Sequence, residues 1–146
     1  MILPDFKAFP RIGRIICVDW GARRVGVAVS DPGRGFVFAR PVVSGGDDLP
    51  TRIAKIATDE CAVGIIIGLP LRTDGSESDT TAHVREFANA LANVTDLPIA
   101  FIDETLSSNA AMETIGRATY HNIKEKLDSE SARVILENAI SMIRRA

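Results

Sequence analysis

Aromatic residues are scarce, at 5% of 146 positions. That argues against an array of stacking platforms of the kind that holds successive bases of a single strand. Cysteine is scarcer still. Cys17 and Cys61 belong to no CxxC or Cys/His cluster, which excludes a disulfide scaffold or a zinc site and leaves both as expected buried thiols. Two histidines, His83 and His121, have no partner spacing and read as surface residues. No apolar run approaches the roughly 18 residues that cross a bilayer. Residues 1–14, MILPDFKAFPRIGR, lack the continuous apolar stretch of a signal peptide. These absences predict a cytoplasmic protein with no membrane partner. Repeats, low-complexity tracts and interdomain linkers are also missing. One domain over residues 1–146 is expected, with 1–13 as a flexible N-terminal extension.

What is present is a balanced globular composition, 46% hydrophobic and 25% charged. The net charge of −2 argues weakly against nucleic acid as a partner. Its distribution softens that. Residues 1–40 hold seven basic residues against Asp5, Asp19 and Asp31, while the rest of the chain is acidic. A basic face is possible, as is an ordinary solvated surface.

Periodicity predicts an α/β fold. Residues 14–20, RIICVDW, form a β-branched run ending in Asp and Gly21. Residues 25–30 alternate and stop at Asp31-Pro32-Gly33, a turn signal. Residues 36–43 read as a third strand, with Pro41 marking an edge. Helices are expected at 49–60, 80–93, 107–117 and 129–143, with Asp128 opening the last. Residues 63–69, VGIIIGL, read as a strand buried on both faces, and 98–103 as a fifth strand. The order βββαβαβαα predicts a ribonuclease-H-like mixed five-stranded sheet flanked by helices.

Three acids stand at element ends: Asp19 after strand one, Glu104 after strand five, and Asp128 before the last helix. In such a sheet they can converge. Converging carboxylates raise one another's pKa unless a cation relieves them, and Mg²⁺ or Mn²⁺ prefers oxygen ligands. A two-metal site can activate water and stabilise the leaving oxygen in phosphodiester cleavage. Each acid has an ordinary alternative. Asp19 could pair with Arg23 or Arg24, Asp103-Glu104 could be a loop, and Asp128 could be a helix N-cap.

The segment VDWGARRVGVAVSD resembles the opening motif of the YqgF family, the Holliday-junction-resolvase-like proteins also described as pre-16S rRNA nucleases. GLPLRTDG, FIDETLSS and KEKLDSESARVILENAI resemble that family's later motifs in the same order, spanning residues 15–140. The resemblance implies a metal-dependent endonuclease whose catalytic and metal-holding residues are Asp19, Glu104 and Asp128. Thr105 stands where the family usually has arginine, and Trp20 where phenylalanine is common. Arg72, Lys124, Lys126, Arg23 and Arg24 are candidate phosphate contacts, or equally solvated charges. Gly68-Leu69-Pro70-Leu71 reads either as a turn positioning Arg72 or as a strand terminator. Ser107 and Ser108 read as helix caps.

The implied substrate is structured RNA, in 5′-end processing of pre-16S rRNA, or branched DNA. Resolution of four-way DNA needs a two-fold dimer, and no dimerisation stripe is evident, so a monomer or weak dimer is expected and RNA is favoured. Two other readings remain. One is an actin-like nucleotide-binding module, which generally needs two such domains. The other is a non-catalytic ribosome-assembly factor, which Thr105 keeps open.

Overall fold

The computed structural model describes residues 1–104 and 120–146, with side chains for 1–104 and 130–146. The expected helix at 107–117, together with Thr105, Ser107 and Ser108, lies outside the described residues. So do the side chains of His121, Lys124, Lys126 and Asp128.

The β-branched run Ile15–Asp19 forms β1, a central strand with four fully buried residues. It pairs antiparallel with β2 (Arg24–Ser30) and parallel with β5 (Gly64–Leu69). β5 pairs parallel with β6 (Ile99–Asp103), giving the order β3-β2-β1-β5-β6. The expected third strand, 36–43, is two short ones: β3 (Val37–Ala39) and β4 (Val43–Ser44), which pair with different stretches of β2. Pro41 lies between them and has no amide to donate, so the ladder breaks there. The mixed sheet therefore has six strands rather than five.

Alternation along each strand builds two cores. Ile16, Val18, Ile65, Ile67 and Ile99 face α1 (Leu49–Asp59) and α2 (Asp79–Ala92). Ile15, Cys17, Ile66, Ala100 and Ile102 face α3 (Tyr120–Arg145), against its stripe of Ala132, Ile135, Leu136, Ala139, Ile140 and Ile143. Burying each large aliphatic side chain there contributes about 1.5–3 kcal/mol. Ser78 caps α2 through a capping box with Thr81. No helix among the described residues is long and apolar enough to cross a membrane.

Three expectations are corrected. The segment 1–13 is packed rather than a flexible extension. The Leu3 amide donates to the Ile99 carbonyl at 2.7 Å and the Ile99 amide to the Met1 carbonyl at 2.8 Å, laying Ile2 along the open edge of β6. Leu3, Phe6 and Phe9 join the core under α3, and Phe9 occupies the space that a Cβ on Gly64 would need. Cys61 is exposed rather than buried, in the turn after α1 with φ +56°. Finally, α3 starts nine residues before the expected 129. The run from 120 to 130 contains no glycine or proline to stop a helix. Asp128 is therefore inside the helix, and the N-cap reading fails.

Candidate active site

The parallel half of the sheet brings two of the three acids together. Val18 is registered against Ile67, and Leu69 against Asp103. Asp19, Gly68 and Glu104 therefore lie side by side at the C-terminal ends of β1, β5 and β6. By alternation all three face the α3 side, as Cys17, Ile66 and Ile102 do. Glu104 lies just past β6, and its amide donates to the Leu69 carbonyl at 3.3 Å, continuing the ladder.

Gly68 makes this possible. A Cβ at that position would lie 2.9 Å from Glu104 Oε2 and 3.0 Å from Ile135 Cδ1. The Glu104 carboxyl thus rests on the bare backbone of β5, roofed by α3. The Asp19 and Glu104 carboxyls lie within hydrogen-bonding reach of each other, an approach that favours the protonated form of Glu104 when no cation is bound. Burial first, and the Asp19 charge second, push Glu104 up to about 9, with exposed Asp103 adding to the effect. Neighbouring Cys17 is fully buried, and its thiol is pushed well up by burial and then by the same two carboxyls. It behaves as an inert part of the core.

Asp128 belongs to the α3 backbone. Positions 128, 131, 132 and 135 recur on one helical face, and Ser131, Ala132 and Ile135 are buried. Residue 128 therefore continues that line, roughly 10 Å along the axis from Ile135. Its side chain lies outside the described residues. Among the described residues no group of three or more His, Cys, Asp or Glu is arranged to hold a metal.

The loop after β5 is tied down on several sides. Thr81, fully buried, donates its hydroxyl to the Pro70 carbonyl. The Arg72 amide donates to the Ser76 carbonyl at 2.9 Å, and Leu71 bridges Glu77. Arg85 grips Glu77 with two bonds, of 2.7 and 3.1 Å, while stacking over Phe101. GLPL thus ends the strand and also seats a short hairpin whose Arg72 is exposed. Arg23 is exposed in the β1–β2 turn. Arg24 is half-buried at the start of β2, opposite Ser44. Gly21 is required in that turn, because a Cβ would lie 2.4 Å from the Arg24 carbonyl oxygen.

Two features were not anticipated from sequence. Gly68 was read only as part of a turn. Its signal was a glycine that interrupts the aliphatic run of β5 one residue before its end, which marks a close approach. His83, exposed as expected, stacks on Trp20 with ring centroids 5.9 Å apart and planes 21° from parallel. No sequence spacing links the two, since they meet only when α2 packs beside the end of β1.

The family described as "RuvX: Holliday junction resolvase" matches residues 13–142. A protein of Maridesulfovibrio salexigens named "Putative pre-16S rRNA nuclease" is 40% identical over 128 residues, covering 85% of this chain and 95% of its own. Proteins of the same name from Paracoccus denitrificans and Rhodopirellula baltica are 36% and 34% identical, covering 94% and 93% of this chain and 90% and 81% of their own. Among solved structures, the fold is similar to "T. thermophilus RuvC in complex with Holliday junction substrate". The TM-score is 0.56 at 10% identity, over 90% of this chain and 96% of that one. A second Thermus thermophilus RuvC structure gives 0.52 at 12% identity, over 88% and 97%. The ribonuclease-H-like architecture expected from the strand order is thus confirmed, and the chain belongs to the family described as RuvX: Holliday junction resolvase.

Proposed function

We propose that residues 1–146 form one cytoplasmic nuclease domain that cleaves phosphodiester bonds of structured RNA, in 5′-end processing of pre-16S rRNA. Membership of the family makes the chain a nucleic-acid hydrolase. The observation that carries the site assignment is the half-buried, closely paired carboxyls of Asp19 and Glu104 seated over Gly68. Such a pair has an excess of negative charge that a hard cation relieves. The donor set therefore fits Mg²⁺ or Mn²⁺, held by Asp19 and Glu104, with Asp128 as the third ligand. Ions bound there supply charge neutralisation and Lewis acidity to phosphodiester hydrolysis. Arg23, Arg24, Arg72, Lys124 and Lys126 engage backbone phosphates of the substrate. The few aromatic residues favour recognition by backbone shape rather than by base stacking.

The RNA reading follows the names of the relatives. A second reading, resolution of four-way DNA by a two-fold dimer, follows the family's own description. A cleavage screen separates them: pre-16S rRNA, junction DNA and simple duplexes, with Mg²⁺ or Mn²⁺, for the native protein and Asp19→Asn. The expected result is metal-dependent cutting of the rRNA precursor that Asp19→Asn abolishes while staying folded. Preferential cutting of junctions would replace the first reading with the second. No cutting of any substrate would return the chain to a binding role in ribosome assembly.

A further inference from the structure

A second polar site lies at the other end of β1, between the loop after β2 and the C-terminal half of α3. It is a cavity of about 190 Å³ lined by Arg11, Gly33, Arg34, Ile140, Ile143 and Arg144. Two of these guanidinium groups, Arg11 and Arg144, are exposed, whereas a buried one such as Arg34 is costly unless its charge and donors are satisfied. Arg34 is only 6% exposed, and its φ of +60° is a conformation that a side-chain-bearing residue rarely adopts. Its Nε donates to the Gly13 carbonyl at 2.8 Å, whereas Nη2 is buried with no hydrogen-bond partner. Buried donors of this kind are nearly always satisfied, by protein, water or ligand.

Arg34 and Arg144 meet main-chain oxygens rather than carboxylates. Arg144 donates to the Arg34 carbonyl at 3.1 Å, and Arg11 donates to the Ile143 carbonyl and to a main-chain oxygen of Ala146, the last residue. Asp31, the nearest acid in the loop, turns its carboxylate to the amides of Gly33 and Phe36. Among the described residues, no Asp or Glu carboxylate lies within ion-pair distance of Arg11, Arg34 or Arg144. Burial first, and the Arg144 charge second, push the Arg34 guanidinium down from its ordinary value. Arg34 and Arg144 are thus two like charges held close together.

We propose that Arg11, Arg34 and Arg144 form a phosphate-binding pocket, separate from the carboxylate pair at the opposite end of β1. Guanidinium groups match phosphate oxygens in fork geometry and remain charged at any working pH. A phosphate group in the cavity would offset the repulsion between Arg34 and Arg144. The five residues of β1 separate this pocket from Asp19 by roughly 15 Å. The phosphate could be a free anion or the terminal phosphate of a nucleic-acid strand.

Calorimetry on the full chain tests this, with chelator present so that no phosphate binds through a metal at the carboxylates. Inorganic phosphate is titrated into the native protein and into Arg144→Gln and Arg11→Gln, with chloride at matched ionic strength as the control. These two surface variants leave Arg34 and its bond to Gly13 in place. Saturable phosphate binding is expected, weakened about tenfold or more in each variant through loss of a charge-assisted bond. A second arm compares one oligonucleotide with a 5′-phosphate and with a 5′-hydroxyl. Tighter binding of the phosphorylated form, lost in Arg144→Gln, makes the strand end the source. Equal binding leaves the free anion. Phosphate binding no stronger than that of chloride, or unchanged in both folded variants, overturns the proposal. The result is independent of whether the carboxylate pair cleaves nucleic acid.

Discussion

Replacing Glu104 by glutamine is the most direct test of the carboxylate pair, because stability reads it without any substrate. Glutamine matches the protonated acid in shape and keeps a donor for Asp19, but it cannot ionise. In the metal-free protein, burial and Asp19 push Glu104 from an ordinary 4.5 up to about 9. The folded state therefore holds a proton that the unfolded chain releases. With a raised folded pKa, this contribution to stability is fully present below about 4.5 and is lost as pH rises towards 9. Inside that window the slope is at most about 1.4 kcal/mol per pH unit. Partial exposure of Glu104 and its coupling to Asp19 make this a ceiling. Urea unfolding at pH 6 and pH 8 in chelator should show the native protein losing up to about 2.7 kcal/mol relative to Glu104→Gln. Adding Mg²⁺ at pH 8 should restore most of that loss to the native protein and little to the variant. Parallel pH profiles for the two proteins would refute the shared-proton pair and the metal assignment resting on it.

Two further substitutions test the site from its other sides. Gly68→Ala should cost about 1–3 kcal/mol in urea unfolding and sharply reduce cleavage. Its Cβ would meet Glu104 Oε2 at 2.9 Å and Ile135 Cδ1 at 3.0 Å; a variant with unchanged stability would show that Glu104 does not rest there. Asp128→Asn and Asp128→Ser sit inside α3 rather than at its cap, so helix propensity alone should shift stability by less than about 1 kcal/mol. Metal-dependent cleavage should nevertheless be abolished in both, and near-normal cleavage by either would remove Asp128 from the site.

Much of this protein could be read from order and period along the chain. The runs IICV and GIIIGL read as buried strands because they are short, rich in β-branched residues and bounded by turn signals. The spacing of Val84, Phe87, Ala88 and Leu91 fixed the inner face of α2. That Asp19 and Glu104 can meet was legible because strand ends in a mixed sheet with parallel crossovers gather at one edge. Local signals failed where a distant partner decided the outcome. The polar run before Asp128 looks like a loop, yet α3 passes through it without a break. Phe6 and Phe9 look like part of a free tail, but the face of the sheet offers them a core and the edge of β6 offers their backbone a partner. The close approach of Asp19 to Glu104 and the three arginines around one small cavity have no sequence signature. Charge and close approach act through space, and only tertiary packing brings β1 against β5 and β6, or residues 11, 34 and 144 into one pocket. Sequence alone thus determined which elements form and which acids lie at their ends; the tertiary structure decided what those acids, and the arginines, do to one another.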